Sequence, residues 1–241
     1  MKKQILIYFL LPISIIFNIY FFYGEAKYRI QKSKYLAYVQ QIKVKLKPAN
    51  TVNMVESTYF DNSPITQNDI VFIGDSHTHF FKFNEFFPLK RIINRGYPGD
   101  LTLDVLARLD KIVEQKPQKI FLCVGVNDIL QQSAPNEVVK NIEQIVNKIQ
   151  KSTPQTKIYI QSLLPTSWYA TVNYPSSYGI EECNKHLKNL CEKKQIVFVD
   201  LYPHFVNEKH ELKFEYDCGD KLHLNFFGYK KWAEVVEPLL N

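Results

Sequence analysis

The chain has 241 residues, 46% hydrophobic and 22% charged, a globular composition with room for one enzyme-sized domain and an appendage but not for two such domains. Its 30 lysines and arginines against 24 acids give a net charge of +6, and much of the excess lies near the N-terminus, so the remainder is close to neutral and argues against a nucleic-acid groove. Cys123, Cys183, Cys191 and Cys218 show no C-x-x-C pairing, which argues against a structural zinc site.

Residues 5–23 carry no charge and follow Lys2 and Lys3. A helix of that length rises about 28 Å, enough to cross a hydrocarbon core of about 30 Å. Residues 1–25 are therefore expected to be a transmembrane anchor, with a cleaved signal peptide as the alternative because Gly24-Glu25-Ala26 offers small residues for processing. Two lysines ahead of an apolar run are how an export signal begins, which favours an extracytoplasmic domain. Lys27, Arg29, Lys32, Lys34 and Lys43 pull the positive-inside rule the other way. Residues 26–60, polar and lysine-rich, read as a helical stalk or linker, and residues 61–241 as the main globular domain.

Ile70-Val-Phe-Ile followed by Gly74-Asp75-Ser76 predicts a short buried strand that breaks into a tight turn carrying a hydroxyl. Gly, Asp and Ser are also ordinary turn residues, so the tripeptide alone does not make a nucleophile. A second apolar step, Ile92-Ile93, ends in a glycine turn over residues 94–100. Val105, Leu106, Leu109, Ile112 and Val113 then recur at helical spacing, with Asp100 or Thr102 placed to cap. A third strand at residues 120–124 runs into Gly125-Val126-Asn127-Asp128, and Val138, Val139, Ile142, Ile145, Val146 and Ile149 mark one face of an amphipathic helix. Residues 158–161 and 196–199 are the fourth and fifth strands, with a helix around residues 181–194 between them, and Asn225 caps a last helix. Strands alternating with helices imply right-handed crossovers and a parallel sheet covered on both faces, with the ligand crevice beyond the carboxyl ends of its strands. The turns after strands one, two and three should meet at that rim.

Asp220-Lys-Leu-His223 puts a carboxylate three residues before an imidazole. The carboxylate can hold one ring nitrogen while the other takes a proton from a serine hydroxyl. Ser76 would then attack an acyl carbon, and the N–H groups of Gly99 and Ser76 with the Asn127 amide would meet the oxyanion. Asp75 and Asp100 read as turn or cap carboxylates, and most of Phe80, Phe81, Phe83, Phe86 and Phe87 as core. Trp168, Tyr169, Tyr174 and Tyr178 fall in a loop after strand four, where aromatics can bind acyl chains or sugar faces. His77, beside Ser76, either contacts substrate or fills the turn.

Over residues 70 to about 239 the chain resembles the SGNH (GDSL) family of serine esterases and acylhydrolases, carried by Gly74-Asp75-Ser76, the Gly99-Asp100 turn, Gly125-Val126-Asn127-Asp128 and Asp220-Lys-Leu-His223 in that order. The resemblance implies a flavodoxin-like three-layer α/β/α sandwich with a five-stranded parallel sheet. It also implies Ser76 as nucleophile, His223 as general base, Asp220 as its orienting partner, and Gly99 and Asn127 as oxyanion donors. Asn94-Arg95-Gly96, Leu163-Leu164-Pro165-Thr166 and His223-Leu-Asn225 look most like the bacterial branch that resembles lysophospholipases and carbohydrate O-acetylesterases. His77 departs from the family's namesake leucine. A glycan, lipid or small-molecule ester is the expected substrate, with no cofactor or metal. Two alternatives remain at this stage: a metal-dependent hydrolase built on His77 and His79 with His186, His204 or His210, and a membrane-tethered binding module without chemistry.

Overall fold

Short runs of β-branched and aromatic residues, too apolar on both sides to leave one face in water, place the sheet at the centre of the chain. The computed structural model describes residues 51–167, 169–171 and 174–241. After helix α1 (Thr51–Asn62) come strand β1 (Ile70–Gly74), α2 (Ser76–Phe80), α3 (Phe83–Phe86), β2 (Ile92–Gly96), α4 (Thr102–Arg108), α5 (Asp110–Val113) and β3 (Lys119–Cys123). Then follow α6 (Val126–Leu130), α7 (Pro135–Ser152), β4 (Lys157–Gln161), β5 (Tyr169–Thr171), β6 (Tyr174–Pro175), α8 (Ser176–Lys194), β7 (Val197–Val199), α9 (Tyr202–Phe205) and α10 (Phe226–Val236). The main sheet has the order β2-β1-β3-β4-β7 with every pair parallel, the doubly wound arrangement whose order reverses at β1. Residues 52–241 form one unit.

Alternation along each strand divides the core in two. Val71, Ile73, Ile120, Leu122, Ile158 and Ile160 face a layer supplied by Val105 of α4, Leu109 between α4 and α5, Ile142, Ile145 and Ile149 of α7, and Ile180 and Leu187 of α8. Ile70, Phe72, Phe121 and Tyr159 face the opposite way, toward Phe81, Phe205, Tyr229 and Trp232. On that second side the parallel register sets Phe72 beside Phe121 and Phe121 beside Tyr159. Their rings stack with centroids 4.5 and 4.3 Å apart. Trp232 is fully buried, and its Nε1–H donates to Gln161 Oε1 at 2.7 Å, so the ring's one polar atom is satisfied inside the core.

Several local expectations are corrected. Neither Asp100 nor Thr102 caps α4: Leu101 holds the N-cap position, and Asp104 folds back to accept its N–H at 2.9 Å. Asp100 is instead paired with Arg108. The aromatic loop after β4 contains a small antiparallel pair, β5 and β6, and α8 begins at Ser176, before the apolar periodicity becomes regular. The expected anchor over residues 1–25 and the stalk as far as residue 50 lie outside the described residues, and the stalk's last stretch is the start of α1. Among the described residues no helix is long and apolar enough to cross a membrane.

At Gly74, where β1 ends, an added Cβ would lie 2.2 Å from the Cys123 carbonyl oxygen and 2.2 Å from Thr78 Oγ1. Gly74→Ala is therefore expected to lower stability by about 1 to 3 kcal/mol or more through overpacking. Urea unfolding checks this, and an unchanged midpoint would contradict so tight a turn.

Candidate active site

The first turn of α2 fixes one end of the site. Asp75 occupies the N-cap position and its Oδ1 accepts the His77 N–H at 3.0 Å. Ser76 is thus the first helical residue, and its own N–H has no carbonyl within the helix to bond. The residue is 7% exposed, so its hydroxyl sits just below the surface.

The other end comes from residues 217–224, a loop rather than a helical turn. Asp220 Oδ1 accepts the N–H of Leu222 at 3.0 Å and of His223 at 2.8 Å, an Asx-type turn that lays the carboxylate against the imidazole. Asp220 Oδ2 lies 2.6 Å from His223 Nδ1, and His223 Nε2 lies 2.8 Å from Ser76 Oγ. A carboxylate only accepts, so Nδ1 carries the proton, Nε2 is the acceptor, and the serine hydroxyl donates. Partial burial works against ionisation of Asp220, but hydrogen bonds from the His223 ring and from the backbone of His223 and Leu222 outweigh it and hold the carboxyl well below the usual range. The loop is pinned at Lys221, whose carbonyl accepts from Thr166 Oγ1 at 2.7 Å and Ser167 N at 2.9 Å. Phe80, 43% exposed, sets its ring against that of His223 with centroids 5.3 Å apart.

The third wall is the pair of turns after β2 and β3. Gly99 is exposed with φ +80°, a left-handed conformation that favours glycine, and nothing lies within 4 Å of where its Cβ would be. Asn127, in the first turn of α6, donates from Nδ2 to the Asp100 carbonyl at 3.0 Å, which ties the two turns together; it is not the cap of α6, a position held by Gly125. Next to it the buried Asp128 accepts from Thr102 N at 3.0 Å and Thr102 Oγ1 at 2.7 Å. Arg108 completes the bracing. Its Nε donates to Asp100 Oδ2 at 2.8 Å, and its Nη2 donates to the carbonyls of Arg95 at 2.8 Å and Gly74 at 3.2 Å, linking the ends of β1 and β2 to the Gly99 turn. Sequence reading missed Arg108. Its sole trace there is a basic residue beside the apolar stripe of α4.

The structure brings Ser76, His223 and Asp220 together and sets the Gly99 and Asn127 turns next to one another. Of the two readings of His77 the structure supports the one that fills the turn and not the substrate contact: the ring is 2% exposed, with Nε2 bonded to the Leu222 carbonyl at 2.8 Å. Trp168 lies outside the described residues, and Tyr169 is in β5. Nor does a metal cluster form on His77 and His79. His186 lies 3.7 Å from Glu182 and His210 2.5 Å from Glu181, and among the described residues the grouped candidate ligands are Asp217, Cys218 and Asp220. The arrangement can generate a serine alkoxide and take up its proton, the first step of acyl transfer.

The model of the GDSL-like Lipase/Acylhydrolase family matches residues 72–231. Platelet-activating factor acetylhydrolase IB subunit alpha2 of Homo sapiens is 30% identical over 179 residues, spanning 71% of this chain and 76% of that protein. A solved structure from Streptococcus pneumonia, provisionally described as a platelet activating factor, superposes with a TM-score of 0.71 at 28% identity, covering 85% of this chain and 99% of the other. A GDSL-like lipase from Bacteroides thetaiotaomicron shares the fold, with a TM-score of 0.68 at 20% identity over 77% of this chain and 96% of its own.

Burial raises the Asp128 carboxyl from 3.8 to about 6 against the opposing hydrogen bonds of Thr102. The folded chain then keeps this proton to higher pH than the unfolded chain does. Its contribution to stability is fully present below about pH 4 and is lost as pH rises through about 6, a fall of about 3 kcal/mol. Asp128→Asn is expected to flatten that part of the stability profile in urea unfolding between those pH values. A slope as steep as the parent's would contradict the assignment.

Proposed function

The chain belongs to the GDSL-like lipase/acylhydrolase family and is a hydrolase, and within that family we propose that it is a serine esterase acting through Ser76, His223 and Asp220. The observation that carries this reading is the continuous relay from Asp220 through the His223 ring to Ser76, with contacts of 2.6 and 2.8 Å. Ser76 Oγ attacks the acyl carbon while His223 Nε2 takes its proton. The imidazolium so formed is stabilised by Asp220, whose depressed titration keeps it ionised when the ring becomes charged. His223 then hands the proton to the departing alcohol, leaving an acyl group on Ser76. Water, deprotonated by the same nitrogen, releases the acid. The developing oxyanion is met by the Ser76 N–H, the Gly99 N–H and the second hydrogen of Asn127 Nδ2, whose first is used on the Asp100 carbonyl.

A short acyl group, acetyl first among them, is the proposed substrate portion. Supporting it are the relatives that carry the name platelet-activating factor acetylhydrolase. The alcohol portion is a lipid or a carbohydrate, for which the exposed Phe80 ring beside His223 offers an apolar contact. Residues 1–25 are proposed to hold the catalytic domain at a membrane outside the cytoplasm, supported by the uncharged run that follows Lys2 and Lys3.

Steady-state hydrolysis of a short acetyl ester tests the reading. Ser76→Ala and His223→Ala are each expected to remove nearly all turnover without lowering the unfolding midpoint, and a chelator is expected to leave the parent rate unchanged. Asn127→Ala is expected to slow kcat by about 10²- to 10³-fold. Full turnover in the Ser76 or His223 variant would end the proposal, and a parent rate in the Asn127 variant would reduce that amide to a brace for the Asp100 turn.

A further inference from the structure

His77 is the residue after the proposed nucleophile, and its ring is buried to 2% exposure although nothing in the acyl-transfer chemistry calls on it. Both ends of its backbone are fixed. Its N–H goes to Asp75 Oδ1 at 3.0 Å, and its carbonyl accepts from Tyr229 Oη at 3.0 Å. From that fixed base the ring reaches across to the loop of the proposed general base, where Nε2 meets the Leu222 carbonyl at 2.8 Å. A carbonyl can only accept, so Nε2 carries the proton in either charge state of the ring. Nδ1 faces Asp75 Oδ1 at 3.5 Å, and the His77 and His223 rings lie with centroids 5.5 Å apart.

We propose that His77 is a positioning residue: a rigid strut from the backbone next to Ser76 to the backbone next to His223, which sets the separation of nucleophile and base. The inference rests on the serine-esterase reading above. The loop from Asp217 to Leu224 is joined to its own neighbours by the Cys218 N–H to His223 carbonyl bond of 2.9 Å and by the bonds at the Lys221 carbonyl from Thr166 and Ser167. Neither contact refers the loop to α2. The His77 bond does, one residue from each of the two reacting side chains, and the Ser76 to His223 contact of 2.8 Å inherits its length from it. Burial alone would disfavour a charged His77 ring, but Asp75 and the Leu222 carbonyl outweigh burial and raise its titration. The strut's donor survives in both forms.

Misplacement of reacting groups by about 1 Å can cost about 10²-fold in rate. His77→Leu fills a similar volume without a donor, and His77→Gln keeps an amide N–H near the position of Nε2. In the full chain with an acetyl ester, His77→Leu is expected to lower kcat by about tenfold to a hundredfold with KM within about twofold, and His77→Gln to restore most of kcat. A parent kcat in a folded His77→Leu, or a His77→Gln no better than His77→Leu, overturns the strut. Ser76→Ala run in parallel separates the two claims: turnover surviving there sinks the serine reading and the strut together, whereas an inactive Ser76→Ala beside a fully active His77→Leu sinks the strut alone. A measurement on the unaltered protein covers the case of a leucine variant that does not fold. In ¹⁵N spectra of the histidine-labelled chain, the proton of His77 is expected on Nε2 and slow to exchange, and an unprotonated or freely exchanging Nε2 overturns the proposal.

Discussion

A hydrogen bond of 2.8 Å between Ser76 and His223 joins two residues 147 positions apart, and most of the fold between them serves to hold its ends still. Such a bond weakens steeply over a few tenths of an ångström, so neither end can ride on a free loop. The serine end is set by β1, flanked in parallel by β2 and β3, and by a turn so tight that only glycine fits at residue 74. The histidine end is set by the Asp220 turn and by carbonyls held at Lys221 and Leu222. Behind both, the stacked rings of Phe72, Phe121 and Tyr159 and the fully buried Trp232 of α10 give the sheet's aromatic side a packed floor beneath the loop that carries His223.

Three carboxylates near this bond have been given different work by their surroundings. Asp220 is partly open to solvent and ringed by donors, so it stays ionised and can steady a positive imidazole. Asp75 is buried and spends one oxygen on the His77 N–H, which makes it a cap rather than a reactant. Asp128 is also buried, its carboxylate accepting two hydrogen bonds from Thr102, and burial raises its titration toward neutrality. Arg108 adds a guanidinium that reaches the ends of two strands and the Asp100 turn at once. The turns carrying Gly99 and Asn127, proposed to meet the oxyanion, are therefore braced from behind by charge-assisted bonds.

Much of this was legible in the sequence because the signals are local. The strand at residues 70–74, the amphipathic α7 and the Asn225 cap of α10 follow from alternation, helical period and a single side-chain acceptor. The pairing of Asp220 with His223 follows from a spacing of three, although an Asx turn and not a helix brings them together. What could not be read depended on partners far away in the chain. Arg108 acts on carbonyls of Gly74 and Arg95, the Leu222 carbonyl occupies His77, and Asp100 is drawn from its expected cap by Arg108. Backbone carbonyls leave no mark on a sequence, so residues whose work is to bind them are read as fillers or substrate contacts.

Covalent capture of the nucleophile tests the account most directly. The full chain, treated with a fluorophosphonate that reacts only with activated serines, should carry one adduct. Peptide mapping should assign it to Ser76, and a chelator should not reduce it. A folded chain that takes up no probe, or takes it up at a serine other than Ser76, would contradict the claim that the 2.8 Å contact with His223 activates this hydroxyl.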